Sequence, residues 1–346
     1  TQCKNQVKQM ALACINFESG QGAFPPGRQI PDWVRSSGVP ATSYTNYNSV
    51  RAGVDRSTGF YSVHVRILPY MEEGNIYDLI DFSVAQPLAM APRLAQPNYE
   101  AYDNAANLFI CPSEPNAVRI TSENSYRTNF GGSTIYGGAS AHTRQTDFDA
   151  MLDGFSCRGN GAFTIAKSTR GLKPGAYTDG LSKTAFIAER LMGSGETDAA
   201  SGLGGSGIPT ESDIITSPNR QAGMVATDSV FNACANYTPA ASEFNFFGTG
   251  RWLPSSNFSN GWPFAGYANT QYNHVAPPNW EGQDCGTYSS VAETPGEHAI
   301  VSARSAHSGV VVVGFGDGHT EPIADDIDLV VWRAMGSRNG EEVVDY

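Results

Sequence analysis

Apolar side chains at Cys3, Val7, Met10, Cys14 and Phe17 recur at intervals of four, three, four and three residues, the spacing of one seam along an α-helix. Residues 2–18 are therefore expected to be helical, with Lys4, Lys8 and Glu18 off the seam. Gly20 and Gly22, followed by Pro25-Pro26-Gly27, end the helix. Such a seam has two uses: it packs on the chain's own sheet, or it meets a neighbouring copy.

Beyond the helix the pattern changes to loops and short strands. Residues 28–60 are polar, dotted with glycine and rich in Ser, Thr and Tyr, and read as an extended surface excursion. Ser62 to Phe82 carries Val65, Leu68, Met71, Ile76, Leu79 and Ile80 at helical spacing, interrupted near Pro69 and Gly74. Strands are expected at residues 125–135, 161–166, 184–191 and 299–303. Gly309 to Phe315 holds four consecutive valines, is too short for a helix and reads as a buried strand. Gly316-Asp317-Gly318 then supplies positive-φ residues for a tight turn, and His319 to Ile323 returns as the second strand of a hairpin. Ile327, Val330, Val331 and Ala334 restore helical spacing over 325–335. Between Gly193 and Gly207 six glycines mark a flexible loop.

Composition sharpens this reading. Only 16% of the 346 residues are charged, while 37 are glycine and 20 proline, a balance that favours a loop-rich β protein. The formal net charge of −12 argues against nucleic acid and anionic lipid as partners. No apolar run reaches the roughly 18 residues that a membrane span needs. Cysteines stand at 3, 14, 111, 157, 234 and 285, with none of the Cys-x-x-Cys spacings of zinc or redox sites. On a helix Cys3 and Cys14 lie about 16 Å apart and cannot bond to each other. For Cys111, Cys157, Cys234 and Cys285, disulfides and buried free thiols both remain open.

Signatures of catalysis are missing: there is no Gly-x-Ser-x-Gly elbow, no His-Glu-x-x-His, no Walker loop and no dinucleotide fingerprint. A non-catalytic role, with no cofactor required, is the expectation. An enzyme would need His307 in a cleft beside a nucleophile or a carboxylate. His307, His319 and Asp317 flank the hairpin and could approach closely enough to bind a metal or hold a proton. Alternatively His307 hydrogen-bonds backbone at the strand entrance and Asp317 shapes the turn. Trp252, Phe258, Trp262, Phe264, Tyr267, Tyr272 and Trp280 cluster among Asn, Ser and Gly. Trp252, Trp262, Tyr267 and Trp280 would make a glycan-stacking platform if exposed, or a small loop core if buried.

Two ends of the chain carry a family resemblance. His307, nine intervening residues and Asp317-Gly318 form a His-x9-Asp-Gly motif, and Thr1 to Met10 with Phe24-Pro25-Pro26-Gly27 resembles the segment after an apolar N-terminal helix. Together with Ile67 to Glu72, Phe109-Ile110-Cys111-Pro112-Ser113, Thr178 to Thr184 with Glu189, Asn273 to Asn279, Ile327-Asp328-Leu329 and Trp332-Arg333-Ala334, these stretches resemble a planctomycete-type family of pilin-like proteins. Its members begin with a prepilin-type helix, are akin to type II secretion pseudopilins and type IV pilus subunits, and consist mostly of a domain of unknown function.

The resemblance implies an α+β fold: a pilin-like N-terminal helix on an antiparallel sheet, long loop elaborations, and a C-terminal hairpin plus short helix. Residues 1–19 would be the lower part of that helix, 20–192 and 251–346 the head, and 193–250 a Gly-rich elaboration within it. It also implies an exported structural subunit at the cell envelope or surface, self-associating into a filament or joining other pilin-like subunits. Cys3, Val7, Met10, Cys14 and Phe17 would then be the assembly face, and the membrane would be met only through an apolar helix upstream of Thr1. Pilin-like subunits often hold Ca2+ near the C-terminus, where Asp317, Glu321, Asp325 and Asp326 offer oxygen donors; Thr178-Asp179-Gly180 is a second candidate. The competing expectation is a surface-anchored module that binds a glycan or a small solute.

Overall fold

A computed structural model describes residues 2–29, 33–35, 54–57, 61–82, 98–105, 107–117, 123–135, 151–152, 155–156, 159–166, 168–193, 211–216, 226–237, 261–267, 269–286 and 299–340. The loop at 194–207, most of the 28–60 excursion, Trp252, Phe258 and Cys157 lie outside the described residues. The helices are α1 (Gln2–Gln21), α2 (Val63–Ile67), α3 (Gly74–Asp78), α4 (Tyr99–Asn104), α5 (Thr227–Ala235) and α6 (Leu329–Gly336). The strands that position the site are β1 (Tyr126–Asn129), β2 (Ala185–Glu189), β3 (Ile215–Thr216), β4 (Gln271–Tyr272), β5 (Cys285–Gly286), β6 (Ala299–Ile300), β7 (Val310–Phe315) and β8 (Thr320–Ala324).

A central sheet runs in the order β4-β1-β2-β7-β8, antiparallel except at its parallel β4/β1 edge. The four valines of the C-terminal run belong to β7, which is interior and covered on both faces, and that explains an apolar run in place of strict alternation. Val311, Val313 and Phe315 join a core with Trp332 and Met335 of α6, while Val312 and Gly314 face α1. The fold is thus α+β, with a long helix on one face of a mostly antiparallel sheet and a short C-terminal helix on the other. A smaller sheet in the order β6-β5-β3 adjoins it.

All five seam positions of α1 are buried, joined by Ala11 and Ala13, which widen the stripe. This corrects the expectation of an assembly face at Cys3, Val7, Met10, Cys14 and Phe17. These side chains fill the chain's own core and present nothing to a neighbour. The outward face of α1 carries Lys4, Lys8, Gln9 and Asn16 around an exposed Leu12.

Local signals account for most other elements. Ser62 Oγ accepts from Val65 N to cap α2, a 3-10 turn at Leu68–Tyr70 follows at Pro69, and α3 restarts at Gly74. Asp328 caps α6 by accepting from Val330 N and Val331 N. The buried Trp332 of α6 donates its indole N–H to Ala276 O at 2.7 Å and stacks on His274 at 3.8 Å between ring centroids. The run expected at 161–166 narrows to Ile165–Ala166, which pairs in parallel with Arg28–Gln29; Arg28 is itself buried, so the excursion after α1 begins inside the fold. Of the residues in 193–250, Ile214 enters the core beside β7, and α5 packs Val230 and Cys234 against Trp280.

Two disulfides tie these parts together. Cys234–Cys285 fastens α5 to β5, a pairing within the expected four. Cys3–Cys111 fastens the first turn of α1 to the Cys-Pro-Ser turn, 108 residues away in sequence, a pairing that reaches beyond the last four cysteines. Cys14 stays a free, buried thiol whose pKa burial drives upward. Disulfides of this kind mark maturation in an oxidising, extracytoplasmic environment. No helix among the described residues is long and apolar enough to cross a membrane.

Candidate functional site at the entrance of the C-terminal hairpin

The His-x9-Asp-Gly motif is spread along the hairpin. His307 stands before β7, and Asp317-Gly318 forms the tip beyond it, so the strand holds the two ends about 20 Å apart. At the tip Gly318 has φ +89°, its N–H donates to Phe315 O at 3.0 Å, and Asp317 Oδ1 accepts from His319 N at 3.1 Å. The His319 ring lies flat on Phe315, with centroids 4.3 Å apart, and its Nδ1 also contacts Asp317 Oδ1. Burial pushes the Asp317 carboxyl up, but the hydrogen bonds from His319 and its charge outweigh that and hold the pKa below its ordinary value. Gly316 does not adopt positive φ. Its role is close approach, since a Cβ there would stand 2.6 Å from the Phe186 ring.

This arrangement corrects two expectations. His307 does not meet His319 and Asp317, because β7 separates them. Asp317, Glu321, Asp325 and Asp326 do not converge on one cation either: Asp317 is at the tip, Glu321 lies along β8, and Asp325 follows the far end of β8, where Asn279 Nδ2 donates to it at 2.7 Å. In the second candidate set, Asp179 Oδ2 is engaged by Ser337 Oγ and Gly340 N.

His307 has partners that spacing did not reveal. Its Nε2 is 3.2 Å from Glu189 Oε1 and 3.9 Å from Cys111 Sγ, so the ring faces a carboxylate and the Cys3–Cys111 disulfide, not backbone. Glu189 is the last residue of β2 and is buried; its Oε2 accepts from Val312 N at 2.9 Å on the neighbouring strand. The His307 N–H donates to Ser305 Oγ at 3.0 Å, which fixes the backbone leading into the hairpin. His307 thus sits in a cleft beside a carboxylate.

The cleft has a volume of about 360 Å3 and is lined by Glu211, Asn279, Arg304, Ser305, His307 and Asp325, with Leu191 and Ser212 behind. That size is within the usual range for small-ligand sites. Behind it a void of about 10 Å3 lies against Cys111, Glu189 and Arg190. Arg304 lines both and belongs to a buried charge cluster around Asp284. Asp284 receives Arg190 Nη2 at 2.9 Å, Arg304 Nη2 at 3.3 Å, Trp280 Nε1 at 2.8 Å and Ser302 Oγ at 2.8 Å. Burial lowers the Arg190 pKa, and the Asp284 charge opposes that shift.

Of the two readings of the aromatic cluster, the described residues bear out the loop core and not the platform. Trp262, Tyr267 and Trp280 are buried: Trp262 packs on Tyr102 and Phe109, Tyr267 on Phe130, and Trp280 on Phe231. Rings buried in this way cannot stack on sugars, so these three serve the core.

Sequence reasoning passed over Arg190, Asp284 and Arg304. A Glu-Arg pair at the end of the apolar run Ala185 to Ala188 was the available signal, because charges that close an interior strand need partners.

Comparison with curated proteins and with solved structures gives no match to the chain. A family model described as a protein of unknown function (DUF1559) matches residues 1–330, and the chain belongs to that family.

Proposed function

We propose that the chain is the head of an exported structural subunit that assembles at the cell envelope or surface through its N-terminal helix, in the manner of pilins and pseudopilins. One observation carries this reading. The 20-residue α1 buries its whole seam in the head and is bonded to it at its first turn by Cys3–Cys111. A helix held in that way transmits a pull on its N-terminal end to the sheet without peeling off. Its outward face, with Lys4, Lys8, Gln9, Leu12 and Asn16, is left for a neighbouring subunit. Electron microscopy of native material with its N-terminus intact tests the reading: ordered filaments with α1 running into a shared core support it, and discrete monomers sink it.

The polar cleft favours a second reading, a surface-anchored module for a small solute. The buried aromatic rings move any such site from a stacking platform to the cleft beside His307 and Asn279. Calorimetric titration with sugars and amino acids separates this reading from the first, because loss of binding in Asn279→Ala would locate the ligand there.

A further inference from the structure

Cys3, Cys111, Glu189 and His307 come from four separate parts of the fold: the start of α1, the Cys-Pro-Ser turn, the end of β2 and the approach to β7. One ligand atom from each lies within 4.8 Å of all the others. The donors are two sulfurs, a carboxylate oxygen and an imidazole nitrogen, a set that suits tetrahedral Zn2+. Around a zinc ion with ordinary bond lengths, the edges between such donors are roughly 3.3–3.8 Å. His307 Nε2 stands 3.2 Å from Glu189 Oε1 and 3.9 Å from Cys111 Sγ, close to those edges. The two sulfurs are nearer to each other, because they are bonded.

A second observation points the same way. Glu189 Oε1 is buried and accepts no hydrogen bond; His307 is at ion-pair distance but out of hydrogen-bonding alignment. The other carboxylate oxygen is engaged by Val312 N, which aims the free one at His307 and the sulfurs. Empty space borders the donors on two sides, since His307 lines the cleft and the small void touches both Cys111 and Glu189.

We infer that Cys3, Cys111, Glu189 and His307 form a redox-gated Zn2+ site, closed as a disulfide in the oxidised chain and open to the metal in the reduced one. A dithiol reductant supplies two electrons and two protons, the Cys3–Cys111 bond breaks into two thiols, and the reductant leaves as its own disulfide. On metal binding both thiols release their protons to solvent, and two thiolates, one carboxylate and a neutral imidazole surround the ion. The tie between α1 and the head is then kept in either state, covalently or through the metal. This inference is independent of the assembly reading, and its test involves no filament.

Co2+ is the probe, because tetrahedral thiolate coordination gives it a visible spectrum. The full chain is reduced with a non-chelating phosphine, freed of reductant without air, and titrated with Co2+ and then Zn2+. Circular dichroism follows folding throughout. The expected result is one equivalent of Co2+ with thiolate charge-transfer bands, displaced by Zn2+ and absent from the oxidised chain. Cys3→Ser removes the bands, and His307→Ala weakens binding by more than the roughly 10–100-fold that loss of an outer partner costs. If the reduced chain unfolds without metal, refolding on Zn2+ addition in the parent but not in His307→Ala supports the site equally. Overturning results are no Co2+ spectrum from the folded reduced chain, the same spectrum in both variants, or an unfolded chain that Zn2+ does not restore.

Discussion

Gly314 of β7 lies directly against Val7 of α1: a Cβ on the glycine would stand 2.8 Å from Val7 Cγ1 and 3.4 Å from the Ala11 Cβ. Glycine therefore interrupts the valine run where helix and sheet come closest. The strand cannot shift to make room, because Gly314 is paired to Ile187 on one side and Thr320 on the other. Gly314→Ala is expected to destabilise the fold by about 1–3 kcal/mol, and Gly314→Val by more. Urea unfolding measures this. In a double-mutant cycle, Val7→Ala combined with Gly314→Ala should cost less than the sum of the single changes. Strict additivity would mean that the two residues do not meet.

The Cys3–Cys111 bond closes a loop twice as long as that of Cys234–Cys285, with sequence separations of 108 and 51. If chain entropy governs, its removal is the costlier of the two. Cys3→Ser with Cys111→Ser should lose about 3–5 kcal/mol, and the Cys234/Cys285 pair somewhat less. Hydrogen exchange locates the effect: amides in the first turns of α1 should lose protection in the first variant and keep it in the second. An unchanged α1 would show that packing alone holds the helix.

Periodicity revealed what depends on local pattern. The α1 seam, the Pro69 interruption, the β7–β8 hairpin and the helix after Asp328 were all readable, because each is set by spacing, a cap or a turn within a few residues. What escaped was set by distance. β4 is two residues long and pairs with β1 across more than 140 positions, and no local rule announces so short an edge strand. The helix Thr227–Ala235 has no side-chain cap, which removed its start signal. At the site, His307 was visible as a motif residue, but its neighbours come from α1, the Cys-Pro-Ser turn and β2. For the aromatic run at 252–280, composition gives the rings but not the direction they face, so platform and loop core both stayed open until Trp262, Tyr267 and Trp280 were seen to be buried.

Asp284 holds two guanidinium groups in the buried interior. Its oxygens receive Arg190, Arg304, Trp280 and both Ser302 donors, and the Asp284 and Arg190 side chains are fully buried. Asp284→Asn keeps the shape and removes the charge, leaving two cations facing each other. A loss of about 3–5 kcal/mol is expected. Glu211 provides the contrast. It is 4.0 Å from Arg304 and 67% exposed, so Glu211→Gln should stay within about 1 kcal/mol of the parent. Equal effects in chemical denaturation would contradict the assignment of Asp284 as the charge that balances the cluster.

His64 and His274 make the fold sensitive to mild acid. Both are fully buried, and burial lowers each pKa from 6.5 to about 3; for His274 the hydrogen bond to Trp332 O opposes the shift, and for His64 that to Tyr126 O. His64 Nδ1 has no hydrogen-bond partner, so a proton there would be buried and unpaired. The unfolded chain binds these protons below pH 6.5 and the folded chain does not. Stability contributed by the neutral rings is therefore complete above pH 6.5 and falls as pH drops toward 3. At pH 5 the loss is about 2 kcal/mol for each histidine. Urea unfolding between pH 7.5 and 5 should show a slope approaching two protons. His64→Gln and His274→Gln, each less stable at neutral pH, should each reduce the slope by one. A slope of only one proton would mean that one ring is hydrated in the native state, with the variant of unchanged slope identifying it, and a flat profile would mean that both are.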